Sequence, residues 1–184
     1  MKKKALIVLA DGFEEIETIT PIDILRRAGI EVIVAGLNKE EAIGSRGVII
    51  KTKIKLSAYS SMPDAVVLPG GSPGAENLAR SGRLKELILN MNSKEKLICA
   101  ICASPALVLA PIGILDGKKA TCYPGMEKNF SVDVRFSNDS VIQDGNIITS
   151  RGPATALPFA LKIVESLARK DLADIVAKQV LFNV

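Results

Sequence analysis

Three places along this chain gather residue types that do chemistry. The run Ala100-Ile101-Cys102-Ala103-Ser104 sets a thiol between small residues at the end of the apolar stretch 97–101. Small neighbours permit a sharp turn from strand to helix, the layout of a nucleophile elbow. A cysteine there faces the free N–H groups and positive dipole end of the following helix, which favour thiolate over thiol. Pro105 suits the first helical turn, where its missing N–H costs nothing. Free cysteines are also among the most buried residue types, so spacing alone leaves Cys102 open between nucleophile and core packing. Cys99, inside the apolar run, reads as core. The pair forms a C-x-x-C, but residues three apart on a strand point to opposite faces, whereas a redox dithiol needs both thiols at a helix start.

The second place is Pro69-Gly70-Gly71-Ser72-Pro73-Gly74, a glycine-rich run after the apolar stretch 65–68. It matches neither a Walker loop nor G-x-G-x-x-G, and no Lys-Ser/Thr follows. A tight turn, a phosphate cradle and an oxyanion hole remain open; in the last, the N–H groups of Gly71 and Ala103 aim at one oxygen beside the thiol. The third place is 11–17, where Glu14, Glu15 and Glu17 crowd the start of a helix. Such acids ordinarily complement the helix dipole. One that sits instead in a crevice beside Cys102 has its pKa raised by burial and by the neighbouring thiolate, and becomes a proton donor near neutral pH.

The chain has 184 residues and no histidine, which removes the commonest general base and the commonest metal ligand together. Ser-His and Cys-His catalysis within the chain are thereby excluded, and three cysteines alone make a poor zinc site. The formal charge is +4, but Lys2, Lys3 and Lys4 supply three of that excess, leaving +1 for the body. With two Tyr, five Phe and no Trp, neither a basic face nor stacking aromatics point to nucleic acid. The odd cysteine count argues against a disulfide framework and fits a reducing, cytoplasmic compartment.

These places need elements to hold them. Continuous apolar runs at 5–10, 32–35, 65–68 and 97–101 suit strands buried on both faces. Between them, Ile16, Ile19, Ile22 and Leu25 recur every three residues, and Leu84, Leu87, Ile88 and Met91 follow helical spacing. Pro21 either bends the first helix or begins one capped by Thr20, and Arg26, Arg27 and Gly29 mark its end. Alternating strand and helix predict a doubly wound α/β domain with a mostly parallel sheet, one domain over 1–184. Its ligand crevice lies at the carboxyl ends of the strands, where all three places fall. Segment 118–150 reads as irregular, with strands near Ala120, at 132–136 and at 147–149, the last two separated by an Asp144-Gly145 turn. Leu157, Ala160, Leu161, Val164 and Ala168 mark a further helix, and 171–180 another. The uncharged stretch 97–115 nears the length of a membrane span, but Ser104-Pro105, Pro111 and Gly113 favour a strand, a sharp turn and a short buried helix.

Five ordered motifs running nearly end to end carry a resemblance: Glu14-Glu15-Ile16-Glu17-Thr18, Arg26-Arg27-Ala28-Gly29-Ile30, Val67-Leu68-Pro69-Gly70-Gly71, Ala100-Ile101-Cys102-Ala103 and Thr149-Ser150-Arg151-Gly152-Pro153. Together they resemble the DJ-1/ThiJ/PfpI superfamily, closest to the branch containing the parkinsonism-associated deglycase. The resemblance implies a flavodoxin-like sandwich of the class I glutamine amidotransferase type, a homodimer, and no cofactor or metal. It implies Cys102 as the reactive cysteine, Glu17 as its partner, an oxyanion site from the Gly71 and Ala103 N–H groups, and Gly70 and Tyr123 in support. Tyr123 stands where many relatives carry a histidine, which disfavours peptidase activity. Members of this branch are described as glyoxalases or deglycases acting on dicarbonyls and their adducts, and as oxidation-sensitive stress proteins. The expected activity is therefore a cysteine-dependent glyoxalase or deglycase acting on glyoxal, methylglyoxal or their early adducts. The alternative is an oxidation-sensing or chaperone-like protein whose cysteine becomes a sulfinate, and a weaker one is a role in thiamine biosynthesis, for which no cofactor or phosphate signature is present.

Overall fold

The computed structural model describes residues 2–182. In chain order the elements are β1 (Lys4–Leu9), α1 (Glu15–Arg27), β2 (Glu31–Gly36), β3 (Glu41–Ile43), β4 (Ile49–Lys51), β5 (Ile54–Lys55), β6 (Ala65–Leu68), α2 (Ser72–Ala79), α3 (Gly82–Ser93), β7 (Leu97–Ile101), β8 (Lys119–Ala120), β9 (Arg135–Phe136), β10 (Val141–Asp144), β11 (Ile147–Ser150), α4 (Ala156–Leu167) and α5 (Lys170–Gln179). Seven strands form the central sheet in the order β10-β11-β7-β6-β1-β2-β5. All its pairings are parallel except the edge hairpin β10–β11. The expected mostly parallel sheet with helices on both sides is what the chain forms.

The central strands are apolar throughout because both faces are covered. Ile7, Val67, Cys99 and Ile101 pack on the side of α1, α4 and α5. Leu6, Val8, Val66, Leu68, Ile98 and Ala100 pack on the side of α3. β1 lies between β2 and β6, so the direction of winding reverses at β1. That reversal opens a crevice at the carboxyl ends of β1 and β6. β7 neighbours β6, and its own carboxyl end delivers Cys102 to the same crevice.

α1 runs unbroken through Pro21, which settles the ambiguity of the sequence. The missing proline N–H leaves the Glu17 carbonyl without its usual helical donor. The spacing of three in Ile16, Ile19, Ile22 and Leu25 is not one buried stripe. Ile16 and Ile19 are exposed, whereas Ile22 and Leu25 are buried. Each step of three falls about 60° short of a full revolution, so three steps carry the side chain to about the opposite side of the helix.

Several expectations are corrected. Of the strand expected over 132–136 only Arg135–Phe136 forms, and Val132 is fully exposed. The partner of β11 across the Asp144-Gly145 turn is β10, a strand the sequence reading passed over. Its pattern has a single buried residue, Ile142, too little for alternation to register. The helix expected after Cys102 is one π-helical turn, Pro105–Leu109, followed by a 3-10 turn, Ala110–Ile112. The glycine-rich run is in part helical, since α2 begins at Ser72. No helix among the described residues is long and apolar enough to cross a membrane.

Opposite stability effects are expected at two positions the sequence pattern ranks the other way. Ile142→Ala should cost about 2 kcal/mol by emptying a buried site, while Val132→Lys should stay within about 0.5 kcal/mol of the parent. Denaturant melts of both variants check this, and equal losses would contradict the edge-hairpin placement.

Candidate active site

Cys102 leaves β7 with a φ of +64°, a left-handed backbone that side chains other than glycine's rarely adopt. Holding it there costs about 1–3 kcal/mol, so the surroundings must impose it. They do so from both sides: the Cys102 N–H donates to the Ser150 carbonyl at 2.9 Å, and the Cys102 carbonyl accepts from the Tyr123 N–H at 2.8 Å. The left-handed turn also breaks strand alternation, so Cys99 and Cys102 pack on the same side of the sheet rather than on opposite faces. Both are free thiols. Cys99 is fully buried core, whereas Cys102 keeps 8% of its surface at the wall of a cleft.

The three crowded glutamates have three different jobs. Glu14 caps α1, its Oε2 accepting the Glu17 N–H at 2.7 Å. Glu15 reaches across to the β3–β4 turn, where its carboxylate accepts from the Ser45 hydroxyl at 3.1 Å and the Arg46 N–H at 2.5 Å. Glu17 is fully buried. Its Oε2 accepts the Gly70 N–H at 2.8 Å, its Oε1 is buried without a hydrogen-bond partner, and the carboxyl lies beside Cys102 across Gly70. Burial raises the Glu17 pKa to about 7, against the Cys102 thiol and the Gly70 N–H and with a small push from Glu14.

The thiol is not simply ionised by a helix terminus, as the sequence suggests. Burial pushes the Cys102 pKa up, the neighbouring Glu17 carboxylate pushes it further, and the N–H groups of Gly71 and Ala103 pull against both. These two N–H groups are the backbone donors that favour the thiolate.

Gly70 and Gly71 are glycines for steric reasons. A Cβ on Gly70 would lie 2.7 Å from the Cys102 Cβ and 2.7 Å from Glu17 Oε2, so any side chain there would wedge the acid from the thiol. Gly71 has a φ of +94°, and a Cβ on it would collide with the Gly12 carbonyl oxygen. Tyr123 lies in the same place but is half exposed. Its ring lies against Gly152, and its backbone N–H is the group that bonds to the elbow. The cleft over the thiol has a volume of about 630 Å³ and is lined by Glu14, Arg46, Gly71, Cys102, Tyr123 and Met126 among others. A cleft of about 600 Å³ at the amino ends of the strands is bordered by Lys3, Asp64, Lys96 and Asn146, and no cysteine lines it.

Sequence reasoning missed four contributors: the Ser150 carbonyl, the Ser104 hydroxyl, which donates to the Pro69 carbonyl at 2.5 Å, and Ser45 and Arg46 at the rim. Ser104 alone carried a local signal, being a polar residue inside the uncharged stretch. Cys122, one residue before Tyr123, is fully buried. Its thiol is pushed up to about 12 by burial and by Glu127.

A buried acid and a thiol joined at the carboxyl end of a parallel sheet define a class, and comparison with known proteins agrees. The model of the DJ-1/PfpI family matches residues 3–166. This chain belongs to that family. It is 47% identical to "Protein dj-1beta" of Drosophila melanogaster over 98% of each chain. It is 37% identical to "Glutathione-independent glyoxalase DJR-1.2" of Caenorhabditis elegans over 90% of this chain and 89% of that one. The crystal structure of Drosophila melanogaster DJ-1beta superposes over 100% of both chains with a TM-score of 0.96 at 45% identity. The fold is accordingly the flavodoxin-like, class I glutamine amidotransferase-like one that the sequence resemblance implied.

The raised carboxyl of Glu17 gives stability a signed pH dependence. Between its ordinary value of 4.5 and about 7 the folded state holds a proton that the unfolded state has lost, so stability falls as pH rises through that window. Glu17→Gln keeps an acceptor for Gly70 and removes the charge. It should therefore flatten this slope and melt above the parent at pH 8 by about 3 kcal/mol at most. Melting at pH 5, 6, 7 and 8 checks it; a variant that keeps the parental slope would show that Glu17 is not the group titrating.

Proposed function

We propose that this protein is a cofactor-independent, cysteine-dependent glyoxalase that converts glyoxal or methylglyoxal to the corresponding hydroxy acid. It uses the same first step on the early adducts these dicarbonyls form with amines. The observation that carries the reading is the Glu17–Cys102 pair set between the Gly71 and Ala103 N–H groups at an open cleft. The similarity to a relative named as a glutathione-independent glyoxalase supports it.

The pair resolves the difficulty of a thiol that burial keeps protonated. When the sulfur passes its proton to Glu17, the carboxylate charge that opposed ionisation vanishes, and the new Glu17 hydroxyl and two N–H groups face the thiolate. The sulfur adds to one aldehyde carbon of glyoxal, and the carbonyl electron pair moves to oxygen, where Gly71 and Ala103 stabilise it. That oxygen takes the proton from Glu17, giving a hemithioacetal. The Glu17 carboxylate then removes the hydrogen on the same carbon as a proton, forming an enediol. Reprotonation at the neighbouring carbon yields a thioester, and water releases the acid and the thiol. The sum is glyoxal plus water to glycolic acid: one carbon is oxidised, its neighbour is reduced, and no outside oxidant enters.

A second reading uses the same pair. Hydrogen peroxide would carry the thiolate through sulfenate to sulfinate, each step consuming one peroxide and releasing one water. A Glu17 carboxyl protonated near neutrality would donate to a sulfinate oxygen. This reading makes the protein an oxidation sensor or chaperone-like stress protein, and catalytic turnover separates the two. Glyoxal consumption without added thiol, followed as glycolate formed, should fall at least about 1,000-fold in Cys102→Ala and about 100-fold or more in Glu17→Gln. Parental turnover in Cys102→Ala would end the enzymatic reading.

We further assign the protein to the cytoplasm and to a homodimer. Three free thiols suit a reducing compartment. Ile16 and Ile19 of α1 and Ile43 and Ile49 of the hairpin that Glu15 ties to α1 are exposed apolar residues on adjoining elements, a patch of the kind a second copy covers. Sedimentation should give a dimer for the parent and a monomer for Ile19→Lys combined with Ile49→Lys; a monomeric parent at micromolar concentration contradicts the assignment.

A further inference from the structure

Ser104 is a polar residue with no exposure at all, two positions beyond the nucleophile in an otherwise uncharged stretch. A buried hydroxyl without a partner costs about 1–3 kcal/mol, so its bond is the first thing to account for. Its Oγ–H donates to the Pro69 carbonyl at 2.5 Å. The amide sharing that carbonyl's peptide unit is the Gly70 N–H, which donates to Glu17 Oε2 at 2.8 Å. One planar peptide therefore accepts from Ser104 at its oxygen and supports Glu17 at its nitrogen. Glu17 in turn lies beside Cys102, the two meeting across Gly70, and the thiol bears on its titration. The chain leaves the elbow at Ser104 and returns to it beside Cys102.

Such an arrangement has a direct electronic consequence. A donor on a peptide oxygen draws charge along the delocalised O–C–N unit and makes its N–H a stronger donor. It also has a geometric one. Gly70 is packed against the Cys102 Cβ and Glu17 Oε2 too closely for any Cβ, and its own carbonyl accepts the Glu14 N–H at 3.1 Å while the Gly71 carbonyl accepts the Ala75 N–H at 2.8 Å. The bond from Ser104 is the tie that joins this strap to the elbow itself, and so sets the distance between the loop carrying the Gly71 donor and the turn carrying the Ala103 donor.

We propose that Ser104 is a positioning residue for the Glu17–Cys102 pair: its hydroxyl holds and polarises the Pro69–Gly70 peptide, whose N–H supports the Glu17 carboxyl. Ser104 touches no substrate and acts through that peptide alone. The proposal deepens the glyoxalase reading by rating Ser104 as a determinant of how the pair divides its proton, though its test does not require turnover.

The groups that bear on the Glu17 carboxyl are few. Cys102 at the end of β7 lies beside it, Glu14 at the head of α1 adds a like charge, and the 69–71 strap offers only backbone. α4, packed on α1, presents Phe159, Ala160 and Ile163 to the shared core. The Ser45–Arg46 turn is occupied with Glu15. Removing the Ser104 hydroxyl weakens the Gly70 donor and leaves the carboxylate less supported, so the Glu17 midpoint should rise.

The experiment is an infrared pH titration of the full chain, following the carbonyl band of the protonated Glu17 carboxyl, assigned by its loss in Glu17→Gln. Ser104→Ala should raise the midpoint by about half a pH unit and move the band to higher frequency as its bond to Gly70 weakens. Ser104→Thr, which keeps the hydroxyl, should restore both. Thr149→Val serves as the control for stability alone: it deletes another buried bond, that from the Thr121 N–H to the Thr149 hydroxyl at 3.0 Å, without touching the strap. An unmoved midpoint in Ser104→Ala, or an equal shift in Thr149→Val, overturns the proposal. Should Ser104→Ala fail to fold, Ser104→Thr against Ser104→Cys, a weaker donor of similar size, carries the same comparison. A shift in a protein that shows no glyoxal turnover would leave the positioning role standing and remove the glyoxalase reading.

Discussion

A carboxyl and a thiol placed side by side away from water cannot both carry charge, and the organisation of this protein follows from that constraint. Glu17 is fully buried and held at a pKa near 7, so at neutral pH its carboxyl is close to half protonated, while burial and that carboxyl keep the Cys102 thiol protonated. Neither group is unusual alone. A solvated glutamate would be ionised and would only repel a thiolate; a buried cysteine without an acid would stay protonated and inert. In the proposed mechanism, proton exchange inside the pair would let the sulfur become nucleophilic without leaving a net second charge in the interior, which the surrounding hydrocarbon would penalise.

Holding the pair requires three loops from three strands, and each is irregular in the way its task demands. The β1 loop ends in the Glu14 cap and starts α1 so that Glu17 points inward from its first turn. The β6 loop must pass between the acid and the thiol with backbone alone, which only glycine at 70 permits. The β7 loop turns left-handed at Cys102 itself. These irregularities are mutually dependent, because each is held by hydrogen bonds to one of the others or to the Ser150 and Tyr123 backbone. A parallel sheet with its winding reversal at β1 is a frame that brings three such loops to one edge.

How much of this the sequence discloses depends on the range of the forces involved. The buried strands declare themselves because two covered faces demand unbroken apolar runs, and Cys102 declares itself because the elbow needs small neighbours. Residues 132–136 mislead for the opposite reason: Val132 has strand-forming character but no neighbour to pack against, and tertiary context overrides propensity. The three glutamates are indistinguishable by composition. What separates them is the exact direction each side chain leaves the head of α1, a property set by Gly70, Ser45 and Arg46 from segments far along the chain. Resemblance to a family singled out Glu17; nothing local could. The state of the thiol is hidden for a related reason, since its pKa is raised by burial and by Glu17 from far along the chain rather than by the residues beside the cysteine.

The same burial that prepares the pair also burdens the fold. A carboxyl raised to about 7 contributes nothing to stability at neutral pH and weakens the folded state wherever it is forced to ionise. A left-handed cysteine and two sterically obligatory glycines add further cost. These penalties fall on adjoining residues, whereas the compensating apolar burial is spread over both faces of the sheet. Local conflict embedded in an otherwise consistent framework is the pattern expected where a sequence answers to chemistry as well as to folding. On that argument the elbow, the strap and the head of α1 are a single cooperative site, and a change in any one is felt first in the titration of Glu17.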